Sequence, residues 1–450
     1  MRCRELGPVR RGLWVTMAML VSRQVSLEGG SQVSVKDGSK VLQTLAPAPE
    51  IYELQHSVVH YNKKWYCAHP RQGLFGYFGD GEIVVGHNHA PCGYEADSEA
   101  GRSLAQWGVW HGRLNGYYNR AVVLLQRSPD GGKTWPKEND AVVYDETMPL
   151  NSKRAFLYQK GVPREPYDMF RPDSMFFFGV TYLPDERGDV PECFSLRSPD
   201  RGRTWEKVPT IIKHPVSAKR LVLKYSEPAI RMADGKTLLA AMVDAEPGGG
   251  PLIYASTDQG ATWDFVRQVA MDRSGRGRFT YQSLLLTPRG DLHCYYLHIS
   301  SENEIVEGLK NAICMSVSKD RGKTWSETVP ISGKGTACWK NQSGRGMNYR
   351  SPWPILLRDG RILVIFARRR MPMGIGGILS ADGGKTWSPE FVIRDDASNT
   401  GDLGYPVGTQ LDDGRIFIAY YYTLADGNNF GGTRFIASSS FRIRGRASQH

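Results

Sequence analysis

The sequence predicts an all-β fold, a six-bladed β-propeller, and three observations carry that reading. An eight-residue pattern recurs five times. A β-hairpin pattern precedes each new unit. The repeat length of about 60 residues suits four short strands, one propeller blade. The composition agrees: 450 residues with 40% hydrophobic, 23% charged, 49 Gly and 26 Pro describe a folded, turn-rich chain.

The octapeptides are SPDGGKTW at Ser128–Trp135, SPDRGRTW at Ser198–Trp205, STDQGATW at Ser256–Trp263, SKDRGKTW at Ser318–Trp325 and SADGGKTW at Ser380–Trp387. Their shared pattern, S-x-D-x-G-x-T-W, makes sense as a turn. The Asp accepts bonds from backbone N–H groups across it, the Gly supplies a positive φ, and the Trp begins the next strand and packs between sheets. Such residues are structural rather than catalytic.

The hairpin repeat is an apolar strand, an Asp-Gly type turn and a second strand. It begins at Arg71, Glu227, Gln282, Ser351 and Tyr405. Five boxed units plus an unboxed sixth, Gly404 to Ile443, make six blades. Ser31 to Ala68 supplies closing strands or a flank, and Pro91–Asn119 and Thr147–Tyr167 read as loops over one face. Residues 1–27 are set apart as a leader or mis-assigned start, leaving 28–450 as a single propeller.

The charge balance is 57 Lys+Arg against 46 Asp+Glu, a net +11, which favours acidic partners. No basic helix or aromatic-interleaved RNA motif appears, so nucleic acid is disfavoured. No apolar run is long enough to span a membrane. Seven widely spaced cysteines without a CxxC argue against a disulfide framework and a structural zinc site, and point to a reducing, cytoplasmic setting. The basic Met1–Arg11 followed by apolar Gly12–Val21 is the opposing signal, of secretion or periplasmic export, without an A-x-A site after it. Oligomeric state is not legible, and no cofactor motif or resident metal is expected.

Aligning the hairpins on their turns puts Arg71, Arg171, Glu227, Gln282, Arg350 and Tyr405 at the starts of the innermost strands, around one mouth. Guanidinium groups are costly to desolvate alone, so three together predict a bound anion, and their planar forks match a carboxylate. The alternative is that each Arg pairs with its own acid. His87 and His89 share a strand face and could contact substrate, bind a metal or act as acid and base, although a third ligand is not evident beyond His111.

The octapeptides resemble the Asp-box, or BNR, repeats of the sialidase (neuraminidase) superfamily, over roughly Arg71 to Ile443. That resemblance implies a glycoside hydrolase, an exo-α-sialidase-like enzyme cleaving a terminal acidic sugar from an acidic glycan. It implies Tyr405 as nucleophile, Glu227 as its activating base and Asp97 as general acid, with Glu95 and Glu99 as rivals in the same loop. It also implies an arginine clamp drawn from Arg71, Arg350 and the Arg368–Arg370 run, in which Arg368 and Arg370 share a face. A phenol suits this chemistry because an anionic carboxylate nucleophile would be repelled by the substrate carboxylate. The family's middle arginine has no counterpart after Glu227; Arg171 or Arg350 would replace it. Two other readings stay open: a lyase on uronic-acid polysaccharide, and a glycan-binding propeller without turnover.

Overall fold

The computed structural model describes residues 33–36, 39–42, 49–70, 74–92, 94, 121–185, 188–215, 222–224, 229–244, 246–275, 277–300, 312–332, 349–398, 400–428 and 431–444. Two compact units are distinguished. Met1–Thr44 contains one antiparallel hairpin, β1 (Val33–Lys36) with β2 (Ser39–Leu42), and Leu45–His450 holds everything else.

The second unit is a propeller of six antiparallel sheets. The first blade is β4 (Trp65–Ala68) and β5 (Leu74–Tyr77), both paired to β6 (Ile83–Pro91), then β7 (Val122–Ser128) and β8 (Ala141–Asp145). The second is β9 (Met175–Asp185), β10 (Gly188–Ser198) and β11 (Thr210–Ile212). The third is β12 (Val222–Lys224) and β13 (Ile230–Arg231) on β14 (Leu238–Asp244), then β15 (Pro251–Ser256) and β16 (Asp264–Gln268). The fourth is β17 (Gly277–Leu286), β18 (Leu292–Ser300), β19 (Ile313–Ser318) and β20 (Val329–Ser332). The fifth is β21 (Tyr349–Leu356), β22 (Ile362–Arg368), β23 (Gly374–Ser380) and β24 (Phe391–Arg394). The sixth is β25 (Gly404–Gln410), β26 (Ile416–Thr423) and β27 (Arg434–Ile443), with β3 (Ile51–His60) as its outer strand. A strand from near the N-terminus thus completes the last blade. The Thr147–Tyr167 insertion is partly helical: α1 spans Leu150–Leu157 behind Pro149.

All five octapeptides are the turn between the last two strands of a blade. In the first, Asp130 Oδ1 accepts from Ser128 Oγ, Lys133 N and Thr134 N, and Oδ2 accepts from Thr134 Oγ1 at 2.7 Å. The Ser hydroxyl accepts from the Gly N–H, so the turn closes on itself. The glycines have φ of +79° to +88°, and the residue before each is left-handed too. Each glycine also faces the preceding blade: Gly132 meets Phe417, Gly202 meets Leu125, Gly260 meets Phe176, Gly322 meets Ile253 and Gly384 meets Met315. The first of these contacts joins the first blade to the sixth and closes the ring. Trp263 adds a cross-blade hydrogen bond, Nε1 donating to Ser195 Oγ at 3.1 Å.

An axial cavity of about 380 Å³ receives residues from every blade, among them Phe75, Met175, Ile230, Leu285, Trp353 and Gly408. Its walls are mostly apolar. Around it, central strands such as β14, β22 and β26 are buried along their whole length, as strands sandwiched between neighbouring blades must be. The five described cysteines, at 67, 92, 193, 294 and 314, are buried and form no disulfide. Among the described residues no helix is long and apolar enough to cross a membrane.

Candidate active site

The inner strands of the fourth, fifth and sixth blades each bulge near their start. Pairing shifts register between Thr280 and Ser283, between Arg350 and Trp353, and between Gly404 and Val407. The residues lifted out are left-handed although none is glycine: Tyr281 (φ 57°), Ser351 (φ 48°) and Tyr405 (φ 52°), with His69 (φ 60°) just after β4 in the first blade. Each such residue costs about 1–3 kcal/mol and persists only where the surroundings enforce it. A bulge re-aims a side chain, and here two of them turn phenols toward each other.

Tyr281 and Tyr405 meet hydroxyl to hydroxyl at 2.8 Å, their rings edge to face at 5.3 Å. Both are buried, at 8% and 6% exposure. The Arg350 guanidinium lies over the Tyr281 ring at 5.1 Å. Its Nε and Nη1 are buried and have no hydrogen-bond partner among the described residues. Arg369, partly exposed, donates to Leu403 O and to Tyr421 Oη at 2.8 Å. Tyr421 donates to Asp402 Oδ1 at 2.7 Å, and Asp402 Oδ2 takes Arg434 Nε at 2.8 Å. This wholly buried Asp402–Arg434 pair is the floor under Arg369 and Tyr421. The His69 ring edge packs on Tyr405 at 4.6 Å, and the Asn88 amide lies 3.3 Å from His69 Nδ1.

The electrostatics follow from this packing. Burial alone would raise the Tyr281 hydroxyl, but Arg350, the Tyr405 hydrogen bond, Arg369 and Arg278 together hold it below the ordinary phenol value. Burial likewise opposes ionisation of Asp402, yet Arg434 and Arg369 keep it below the carboxylate range. A phenol pair beside the Arg350 and Arg369 guanidinium groups can give up a proton, attack an electrophilic carbon, or pass a proton along the pair.

The residues expected at this mouth are distributed as follows. Tyr405 and Arg350 come together. Gln282 does not join them. Its Nε2 donates to Ala241 O of the third blade at 3.0 Å, and the bulge gives the inward position to Tyr281 instead. Arg368 and Arg370 do share a face, as strand alternation requires, but both are taken by Glu390 Oε1 at 2.6 Å; Arg369, between them, reaches the centre. Arg171 is not on this rim. It lies exposed in the turn before Met175, and Met175 pairs with Ser198 of an octapeptide, so it belongs to the opposite end of the ring. His87 and His89 point away from Asn88, to the other side of β6, where His60 and Cys67 meet them. Arg71, Glu227, Asp97 with its rivals Glu95 and Glu99, and His111 lie outside the described residues. Sequence reasoning missed Tyr281, His69 and Asp402, and within the Arg368–Arg370 run it preferred the outer two to Arg369. One signal was available: Tyr281, Ser351 and Tyr405 each precede their hairpin glycine (Gly290, Gly360, Gly414) by nine residues.

A BNR repeat-like domain model matches residues 176–418, more than half of the chain. The chain belongs to the BNR repeat-like domain family. Solved structures share its propeller at low identity. A protein of unknown function from Dyadobacter fermentans DSM 18053 is 20% identical with a TM-score of 0.57, covering 89% of this chain and 100% of its own. A Hadza microbial sialidase is 18% identical with a TM-score of 0.52, over 84% of this chain and 65% of its own. A Penicillium chrysogenum α-L-arabinanase complexed with arabinobiose is 15% identical with a TM-score of 0.52, over 88% and 98%. At these identities the likeness is one of fold. No curated protein matches the chain.

Proposed function

We propose that this BNR-repeat propeller is a glycoside hydrolase that releases a terminal carboxylated sugar from an acidic glycan. The observation that carries the reading is Arg350, buried with two guanidinium nitrogens that have no partner among the described residues, beside a hydrogen-bonded tyrosine pair. A carboxylate is the planar anion that such a fork takes, and Arg369 and Arg71 would complete the clamp. Arg368 and Arg370 share the one Glu390 carboxylate, although each keeps a buried Nη1 without a partner among the described residues, and the clamp proposed here leaves them out.

In the proposed reaction Tyr405 Oη attacks the anomeric carbon. Its proton passes to Glu227, and Tyr281 steadies the forming phenolate through the 2.8 Å hydrogen bond. The bond to the leaving group breaks as Asp97 protonates the departing oxygen. Water then attacks the anomeric carbon of the glycosyl-tyrosine, giving its proton to Asp97, while Glu227 returns its proton to the departing Tyr405 Oη, with net retention. Solved neighbours named as a sialidase and an arabinanase support glycosidase chemistry on this scaffold as a class.

One observation favours a second reading. The depressed Tyr281 hydroxyl and the His69 ring against Tyr405 would also serve a lyase on uronic-acid polysaccharide. There Arg350 neutralises the carboxylate, a phenolate removes the α proton, and the glycosidic oxygen leaves across the new double bond. A panel of sialosides, the deaminated analogue, uronides and neutral glycosides separates the two. The hydrolase releases a saturated acidic sugar, whereas the lyase yields an unsaturated product absorbing in the ultraviolet. Intact sugar after prolonged incubation with every acidic substrate would overturn both.

A further inference from the structure

The side of β6 that faces away from the tyrosine pair carries His87 and His89, two residues apart on one strand face. β4 pairs with β6 so that Cys67 stands opposite His89, with Sγ 3.6 Å from His89 Nδ1. His60, the last residue of β3, closes the group, its ring centroid 5.2 Å from that of His87 and 5.0 Å from that of His89. One ligand atom from each of the four residues lies within 4.8 Å of all the others.

Hydrogen bonding accounts for only part of this gathering, the Cys67 Sγ–His89 Nδ1 contact and the Gln126 amide on His60 Nδ1. His87 is 0% exposed, and neither ring nitrogen has a partner among the described residues; His60 Nε2 is also buried without one. A buried polar atom left unsatisfied is destabilising, and three of them in one place call for a common partner. We propose that His60, Cys67, His87 and His89 bind a divalent transition-metal ion of the zinc class.

The donor set selects the ion. Three imidazoles and a thiolate suit zinc and its near neighbours, while calcium and magnesium require oxygen ligands. The spacing agrees. With Zn–S of about 2.3 Å and Zn–N of about 2.0–2.1 Å, a tetrahedral ion sets sulfur and nitrogen roughly 3.6 Å apart, the Cys67–His89 separation. An outer partner is also in place: the Gln126 side-chain amide lies 2.7 Å from His60 Nδ1. With its oxygen turned to that nitrogen, the amide accepts the Nδ1–H and leaves the Nε2 lone pair for the metal. On binding, the Cys67 thiol releases its proton to solvent and the thiolate occupies the fourth position.

Four protein ligands leave no open position, so the ion is structural. Its placement gives the role. His60 belongs to the sixth blade through β3, whereas Cys67, His87 and His89 belong to the first. The metal would clamp the strand that closes the ring to the blade beside it, and its binding energy would be folding energy.

The test uses the full-length protein purified without chelator. Metal analysis should find about one zinc per chain. Cobalt(II) in its place should give intense tetrahedral d–d absorption and a near-ultraviolet thiolate charge-transfer band. Cys67→Ser should abolish that band, and His87→Gln should abolish metal retention. Stripping the wild type with chelator should lower Tm by about 5 °C or more, restored by zinc. Should either variant fail to fold, the wild-type cobalt spectrum and chelator shift still decide. A wild type that retains no metal, gives no cobalt band and melts alike with and without zinc would overturn the proposal.

Discussion

At the end of the ring that carries the octapeptide turns, five blades repeat one set of hydrogen bonds. Ser, Asp, Gly and Thr satisfy one another within eight residues, and the glycines pack against the preceding blade. At the other end, four blades hold His69, Tyr281, Ser351 and Tyr405 at positive φ, and Arg350 keeps guanidinium nitrogens without a partner among the described residues. Neither end is free of strain: Arg201, Gln259 and Arg321 in the octapeptides are left-handed as well, and Nε1 of Trp135, Trp205 and Trp387 is buried without a partner among the described residues. What separates the ends is repetition and charge: one repeats a single self-bonded turn, whereas the other holds a buried guanidinium, and no two of those four blades are furnished alike, except for the tyrosine shared by the fourth and sixth. Unpaired buried charge persists where something other than stability is selected. The difference therefore points to the mouth lined by Tyr281 and Tyr405 as the working surface.

The comparison breaks most sharply at Tyr405. Tyr405→Phe should lower kcat by about 10²- to 10⁴-fold on any acidic glycoside the enzyme cleaves, with Tm close to wild type. Tyr281→Phe removes only the supporting hydrogen bond in the hydrolase reading and should cost about tenfold. Steady-state kinetics on both variants checks this. Equal losses would mean that the two phenols act as one unit, as the lyase reading requires, and an active Tyr405→Phe would remove the nucleophile altogether.

Next in size is the clamp. Arg350→Ala should raise KM for carboxylated sugars by about 10- to 100-fold and leave a neutral analogue unaffected. Comparing the two substrates is the control, since a general distortion of the mouth would weaken both alike.

How far this site could be read beforehand follows from the same contrast. The turns were legible because their chemistry is local: Asp130 and its four counterparts bond within their own octapeptide, so spacing alone reveals them. Six blades and the unboxed last blade followed from counting, whereas counting does not decide between closing strands and a flank for Ser31–Ala68, and strand pairing makes its Ile51–His60 stretch the outer strand of the sixth blade. The mouth was legible only in part, because a bulge adds a residue that the alternation does not contain. Counting back from the turns named Tyr405, itself on a bulge, and Arg350, just before one, but in the fourth blade it named Gln282, one residue past Tyr281. In the Arg368–Arg370 run, parity correctly grouped the outer two, but nothing in the sequence told which face met Glu390. Arg171 was misplaced because the stretch before Met175 is a turn at the octapeptide end rather than the start of an inner strand. Cys67 and His60 escaped notice beside His87 and His89 because strand pairing, not sequence distance, brings them together.

At the repeating end the effects fall on stability alone. A Cβ at Gly260 would overlap the Phe176 ring, whereas one at Gly322 would sit 3.6 Å from Ile253, an ordinary contact. Both backbones are left-handed, at φ of +80° and +85°. Gly322→Ala should cost about 1 kcal/mol for the conformation, and Gly260→Ala about 2–4 kcal/mol because overpacking is added. Denaturant unfolding checks the ranking, and kcat of the surviving folded fraction should not move. Equal costs would mean that the blades slide to accommodate the methyl group, and the turns would then not be rigid spacers.

The smallest effect is the response to acid. Asp320 is held at about 2 by Thr324, through both side chain and backbone, and by Ser318; Asp234 is held at about 2 by the Thr237 and Lys236 N–H groups. Both carboxyls are depressed in the folded state, so the stability they contribute is present above the unfolded value near 4 and is lost as pH falls from about 4 to about 2. Both are solvent-exposed, so each contributes little, and Asp320→Asn or Asp234→Asn should only flatten the fall of Tm across that window. The buried Asp402, also depressed, stands at the other end and holds Arg434 and Tyr421. If the Asn variants lose Tm with acid as steeply as the wild type, the acid-labile element is that floor rather than the turns. Circular dichroism melts at pH 5, 4, 3 and 2 would then assign the weak point to the functional end of the ring.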